Sequence, residues 1–302
     1  MRQDDIEVTS NMREPNPITV ASKASGEPTF REVGLGPWSE VHPGEPRPDD
    51  PDSPGYDGRY DTALLDGGDR RNVLDRYRYW TVEAIREDLD ARGRHDFEVA
   101  VENWTHDFNI GSMVRTANAF TARRVHIVGP HKWNRKGALM TELYQHVEHH
   151  PSIAELVEAW RYRIAGEIAA ARADAQSAAI HAHWASETGD SQSAARALAA
   201  VDAADARIRE LRGARVIALD IIPGAVPIET YRFPARCLML FGAEGPGLSE
   251  KALELADDVV YISQFGSVRS INAGAAAAVA MHSWIAQHGH CAQPAPDRTE
   301  PA

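Results

Sequence analysis

The chain has 302 residues, two cysteines and a formal net charge of -12, with 43% hydrophobic and 25% charged residues. That balance is that of a soluble globular protein with a sizeable core. It excludes a disulfide-stapled scaffold, leaves a reducing cytoplasm as the default compartment, and at first sight speaks against a nucleic-acid partner.

The charge is unevenly spread. Residues 1–70 hold 15 acids against 7 bases, and half of the 18 prolines. Such a segment buries too little apolar surface to offset its ordering entropy, so 1–70 is predicted to be an acidic, disordered tail. The first ten residues, MRQDDIEVTS, lack the apolar run of a signal peptide. The longest apolar stretch, INAGAAAAVAMHSWIA, is short, alanine-dominated and interrupted by Asn272 and His282, which argues against a membrane span.

Residues 71–95 form a basic and aromatic lead-in. Arg70, Arg71, Arg76 and Arg78 alternate with Tyr77, Tyr79 and Trp80, either as a phosphate-gripping, base-stacking patch or as aromatics that pack on the domain. A short helix follows, with Val82, Ile85 and Leu89 on one face. Beyond it, FEVAVENW, RRVHIVGP, ARVIALDI, RCLMLFG and DVVYIS read as buried parallel strands, with DFNIGSMVRTANAF as a helix between the first two. Residues 153–212 are alanine-rich and predict two helices broken at SETGDSQS, and a last helix is predicted from about Ser270 to His288. The expected class is α/β, a mostly parallel sheet flanked by helices.

The glycine run LMLFGAEGPGLS follows one of the last strands. A dinucleotide fingerprint would follow the first strand in the order G-x-G-x-x-G. Here Glu244 would repel a pyrophosphate and Pro246 has no N–H to offer one. A phosphate cradle, and with it a nicotinamide enzyme, is therefore disfavoured. Ser249 can cap the helix SEKAL, a purely structural role that is compatible with ligand binding. A loop of small residues with one carboxylate suits a ligand that is not polyanionic, and S-adenosylmethionine, whose sulfonium is positive, fits.

Three segments taken together resemble the SpoU-type (TrmH-like) RNA ribose methyltransferases of the SPOUT superfamily. NIGSMVRTANAF is similar to the family's N-x-x-x-x-x-R-T-A helix, LFGAEGPGLS to its glycine loop, and VYISQFGSVRSINAGAAAAVA to the entry of its last helix. The resemblance covers about residues 96–290, with the alanine-rich stretch 153–212 as a helical insertion and 291–302 as a disordered C-terminus. It implies a C-terminal deep trefoil knot, a homodimer with two subunits forming each active site, and S-adenosylmethionine as methyl donor. The implied reaction is methyl transfer to a ribose 2′-hydroxyl of tRNA or rRNA in the cytoplasm, with no DNA or membrane partner. A non-catalytic knotted RNA-binding or assembly protein is the alternative.

Carried over by the resemblance, Arg115 is the activator of the hydroxyl. Arginine essentially never deprotonates in proteins, so its role is to bind phosphate or stabilise alkoxide charge. Asn109 orients Arg115 or the ribose, and Glu244, Ser270 and Asn272 complete the polar catalytic shell. Leu240, Gly242, Gly247, Ile262, Gly266 and Ile271 are the expected cofactor contacts. Asn103 either lines the site or caps a turn. Three departures from the family pattern, Ser263, Ala273-Gly274 and Thr121, touch the shape of the pocket. No metal is expected, because sulfonium chemistry needs none and HVEHH (residues 146–150) lacks a convincing ligand set.

Overall fold

The computed structural model describes residues 16–27, 33–104, 109–243, 245–268 and 270–289. They fall into two compact units, Met1–Tyr56 with Thr62–Tyr79 and Asp57–Asp61 with Trp80–Ala302.

The first unit corrects the expectation of a tail disordered throughout 1–70, which does not hold for residues 33–70. After α1 (Pro17–Ala24), capped by Asn16, come α2 (Trp38–Val41) and α3 (Thr62–Gly67). Leu65 and Asp69 are fully buried. The Asp69 carboxylate accepts bonds from Nε and Nη2 of Arg71 and from the backbone amides of Arg71 and Tyr79. Tyr79 donates its hydroxyl to Gly36 O at 2.6 Å and meets Trp38 edge-on. Arg47 grips Asp49 and Asp66. A reckoning by apolar burial misses this unit because much of its order comes from carboxylates that satisfy local backbone and guanidinium donors. Residues 1–15, 28–32 and 290–302 lie outside the described residues, so the expectations for the chain ends concern segments not described.

The aromatic lead-in follows its packing alternative. Tyr77, Tyr79 and Trp80 are all buried, and Arg59 lies 4.1 Å over the Trp80 ring. Rings so covered have no free face for stacking on bases.

In the second unit, α4 (Val82–Ala91) starts at Thr81, whose hydroxyl accepts from Ala84 N. Then follow β1 (His95–Glu102), α5 (Ile110–Ala119), β2 (Ala122–Val128) and β3 (Val147–His150). The helices α6 (Ile153–Glu187) and α7 (Ser191–Arg212) match the two-helix expectation and turn at Gly189. The remaining elements are β4 (Arg215–Leu219), β5 (Val226–Pro227), β6 (Cys237–Phe241), α8 (Glu250–Leu255), β7 (Asp258–Tyr261) and α9 (Ala273–His288). Seven strands pair in the order β3-β2-β1-β6-β4-β7-β5, and every pairing is parallel. The expected α/β class is what the structure has. The two strands missing from the sequence reading, β3 and β5, are the sheet edges; β3 is polar and β5 has two residues, so neither carries an apolar run.

Both faces of the sheet are covered, which is why the central strands read as continuous apolar runs. On one face Val99, Val101 and Met239 pack with Met113 and Ala117 of α5 and with Ala277, Met281 and Trp284 of α9. On the other, Ala100, Leu238 and Leu240 pack with Leu156 and Trp160 of α6 and with Ala252 of α8. Cys237 is buried in the first core, and burial pushes its thiol up, so it is an inert free cysteine. Among the described residues no helix is long and apolar enough to cross a membrane.

A charged knot of side chains interrupts the α6 face. Glu98 is fully buried and accepts from Arg236 Nη2 at 2.6 Å and from His126 Nε2 at 2.7 Å, with Arg163 Nη2 at 3.3 Å. Burial works to raise the Glu98 carboxyl, but the His126 hydrogen bond and the Arg236 charge outweigh it and hold the group far below the usual carboxylate range. Removing one partner of such a pair strands a buried charge. Arg236→Met should therefore lower stability by about 3 kcal/mol, read as a fall in the urea midpoint. The double variant Glu98→Met/Arg236→Met should recover most of that loss.

Candidate active site

A cleft of about 890 Å³ opens at the carboxyl ends of β4, β6 and β7. Leu219, Asp220 and Ile221 come from the end of β4, Gly242, Ala243, Gly245, Pro246 and Gly247 from the loop after β6, and Ile262, Gln264, Val268, Ser270, Ile271 and Asn272 from the segment between β7 and α9. Carboxyl ends of parallel strands are where open α/β sheets bind ligands, because the loops there diverge into a crevice.

The glycine loop closes on itself. Ala243 and Gly247 form an antiparallel bridge, with Gly247 N donating to Ala243 O at 3.1 Å. A Cβ on Gly242 would fall 2.0 Å from the Gly247 carbonyl carbon, so only glycine lets the two strands of the loop meet. The loop is tied down at two further points. Asp220 Oδ2 accepts from Leu248 N at 3.3 Å, and Glu102, at the end of β1, accepts from both Ser249 N and Ser249 Oγ at 2.7 Å. Ser249 also caps α8 through Ala252 N, as its position after the loop predicts.

The first and third motifs meet through asparagines. Asn272 is the N-cap of α9, its Oδ1 accepting from Ala275 N, while its Nδ2 donates to Asn109 Oδ1 at 2.8 Å. Asn109 stands at the head of α5. The helices approach closely here, because a Cβ on Gly274 would sit 2.6 Å from Ser112 Oγ. A glycine at 274, a departure from the family pattern, spares the Ser112 hydroxyl a shift at this α5–α9 contact. Thr121, another departure, occupies a left-handed conformation with φ +47, the kind of turn that favours glycine.

Of the expected cofactor contacts, Gly242, Gly247, Ile262 and Ile271 line the cleft, as do Ser270 and Asn272 from the catalytic set. Leu240 does not. The pleat turns its side chain into the α6-facing core, where it is fully buried. Gly266 is also outside the lining. Glu244 lies outside the described residues. Arg115 is exposed on α5, does not line the cleft, and has no ion-pair partner among the described residues, unlike an arginine in a helix salt bridge. Asn103 takes its turn-tying alternative, donating from Nδ2 to His131 O at 2.7 Å.

Sequence reasoning missed three residues. Asp220 brings a carboxylate to the cleft, Glu102 anchors the loop, and Gln264 lines the cleft with a buried Oε1 that has no partner among the described residues. The acid directly after the strand ARVIAL was a signal for Asp220, whereas Glu102 and Gln264 had none. No described lining residue is Lys or Arg.

The family model described as the SpoU rRNA Methylase family matches residues 173–282, about a third of the chain. Motifs two and three fall inside the match, and motif one lies before it. A tRNA (guanosine(18)-2′-O)-methyltransferase of Saccharomyces cerevisiae is 33% identical over 81 residues, which is 26% of this chain and 6% of the yeast protein. Among solved structures, the SpoU methyltransferase AviRb of Streptomyces viridochromogenes, in complex with AdoMet, shares 22% identity at a TM-score of 0.43, covering 64% of this chain and 58% of that one. The TrmH/SpoU tRNA modifying enzyme of A. aeolicus shares 15% at a TM-score of 0.47, covering 68% and 81%.

Gly242→Ala should open the loop, lowering the melting temperature and abolishing ligand binding at the cleft by calorimetry. Asn272→Ala removes a helix cap and should cost about 1 kcal/mol in denaturant unfolding.

Proposed function

We propose that this protein transfers a methyl group from S-adenosylmethionine to a ribose 2′-hydroxyl of structured RNA, a tRNA or an rRNA, in the cytoplasm. The observation that carries the reading is the composition of the cleft. Motifs two and three build it, its described lining has no cationic residue, and it contains the Asp220 carboxylate and the unpartnered Gln264 Oε1.

These residues fit the cofactor. Apolar walls from Leu219, Ile221, Ile262 and Ile271 suit an adenine ring, backbone groups at Gly242 and Gly247 offer hydrogen bonds, and Gln264 Oε1 can accept one. Asp220 complements a positive charge. When bound, S-adenosylmethionine supplies a methyl group on an electron-poor sulfur. The chain's own task is to hold the ribose oxygen in line with that methyl group and to manage the hydroxyl proton. Asn109 and Asn272, bonded to one another, fix the junction of α5 with the cleft wall. Arg115 keeps its proton, so it grips an RNA phosphate or stabilises charge on the attacking oxygen, and the proton leaves to phosphate or water.

The resemblance further suggests a trefoil-knotted segment before α9 and a homodimer. Phe265, Val268, Ile271 and Val279 are exposed apolar side chains on or before α9, a surface suited to a second copy. In a dimer, the partner's α5 can bring an arginine to the cleft.

In a transfer assay with labelled cofactor and total RNA, the wild type should label ribose. Arg115→Ala should lose at least about a hundredfold in rate while keeping cofactor affinity by calorimetry. Equal labelling by both proteins would remove Arg115 from the mechanism. Val279→Glu should shift the light-scattering mass from dimer to monomer and abolish transfer. A wild type that is monomeric at working concentration would refute the shared site.

A further inference from the structure

We propose that His126, Glu148 and His150 form a zinc site at the β2–β3 edge of the sheet, separate from the cleft. The register pairs His126 with Glu148 and Val128 with His150, so strand alternation sends all three side chains to the α6 face. His126 Nδ1 lies 3.1 Å from His150 Nε2 and 3.5 Å from Glu148 Oε2, and the last two atoms are 3.7 Å apart. Zinc–ligand bonds of about 2.0–2.1 Å place tetrahedral ligand atoms about 3.3–3.4 Å from one another, so the triangle has the size that zinc requires.

The surrounding groups set which nitrogens carry protons. His126 Nε2 is 2.7 Å from Glu98 Oε2, a carboxylate whose other oxygen is held by Arg236. A proton on Nε2 answers that carboxylate, so Nδ1, which faces His150, is the nitrogen that would bind the ion. His150 Nε2 shares one proton with His126 Nδ1 across their 3.1 Å hydrogen bond, and zinc binding would displace that proton. Two imidazole acceptors and a carboxylate oxygen then converge on one point. The carboxylate–imidazole–metal relay from Glu98 is the outer-shell pattern that orients a histidine ligand and raises its basicity.

Two arginines flank the cluster and limit the charge it can hold. Arg124 Nε takes Glu148 Oε1 at 2.8 Å, and Arg163 Nη1 stands 3.4 Å from Oε2. Arg124 leaves Oε2 aimed at the histidines, while Arg163 competes with the metal for it. Two imidazoles and one carboxylate with a fourth position open to solvent favour zinc over magnesium or calcium, which take oxygen ligands. His126 and His150 are buried and Glu148 is at the rim, so the ion is reached from the sheet edge. None of the three lines the cleft, and the ion's role is to fasten the four-residue β3 to β2.

The test uses the full chain without a histidine tag, loaded with Zn2+ and dialysed, with metal content read by mass spectrometry. One equivalent is expected in the wild type, together with the visible absorption of tetrahedral Co2+ when cobalt replaces zinc. Glu148→Gln, nearly isosteric and part-exposed, and His150→Asn should each weaken zinc affinity at least about tenfold. Both should keep the far-ultraviolet dichroism and the cofactor affinity of the wild type. Failure to take up zinc, or uptake that both variants leave unchanged, overturns the proposal.

Discussion

The fold of the second unit turns on two buried carboxylates of one strand. Glu98 and Glu102 lie four residues apart on β1, so they point to the same face of the sheet. Each binds a different part of the chain. Glu98 gathers Arg236 from the entrance to β6, His126 from β2 and Arg163 from α6. Glu102 holds Ser249 at the exit of the glycine loop. A buried carboxylate is costly unless fully paired, and the observed strand order gives both of them partners.

The order of the strands makes the cleft. Insertion of β6 between β1 and β4 places the glycine loop beside the end of β4, where Asp220 meets Leu248 N. The same arrangement brings the segment after β7 to the other wall. The α9 helix then returns beneath α5, close enough for Gly274 to face Ser112 and for Asn272 to bond Asn109. Motif one is thereby coupled to the cleft through an asparagine pair, although Arg115 itself stands on the open surface.

Much of the fold was legible because its signals are local. Parallel strands buried on both faces read as apolar runs, and the alanine-rich pair of helices broke at the turn where SETGDSQS placed it. Polar structure was less legible. The short edge strands β3 and β5 have no apolar period, and the folded residues 33–70 depend on carboxylates such as Asp69 satisfying nearby donors. Leu240 illustrates a different difficulty. Its place in a motif suggested the ligand, but the pleat of β6 decided which side chains face inward.

The sequence alone determined the α/β class, the position of the glycine loop after a late strand, and the family resemblance carried by three motifs in register. These follow from residue type and spacing along the chain. Only the tertiary structure decided that Asp220, Gln264 and Glu102 belong with that loop, and that His126 meets Glu148 and His150 across two strands. Such groupings join residues 20 to 150 positions apart, and no local period encodes them. They exist because the sheet order and the pairing of buried charges bring the side chains together.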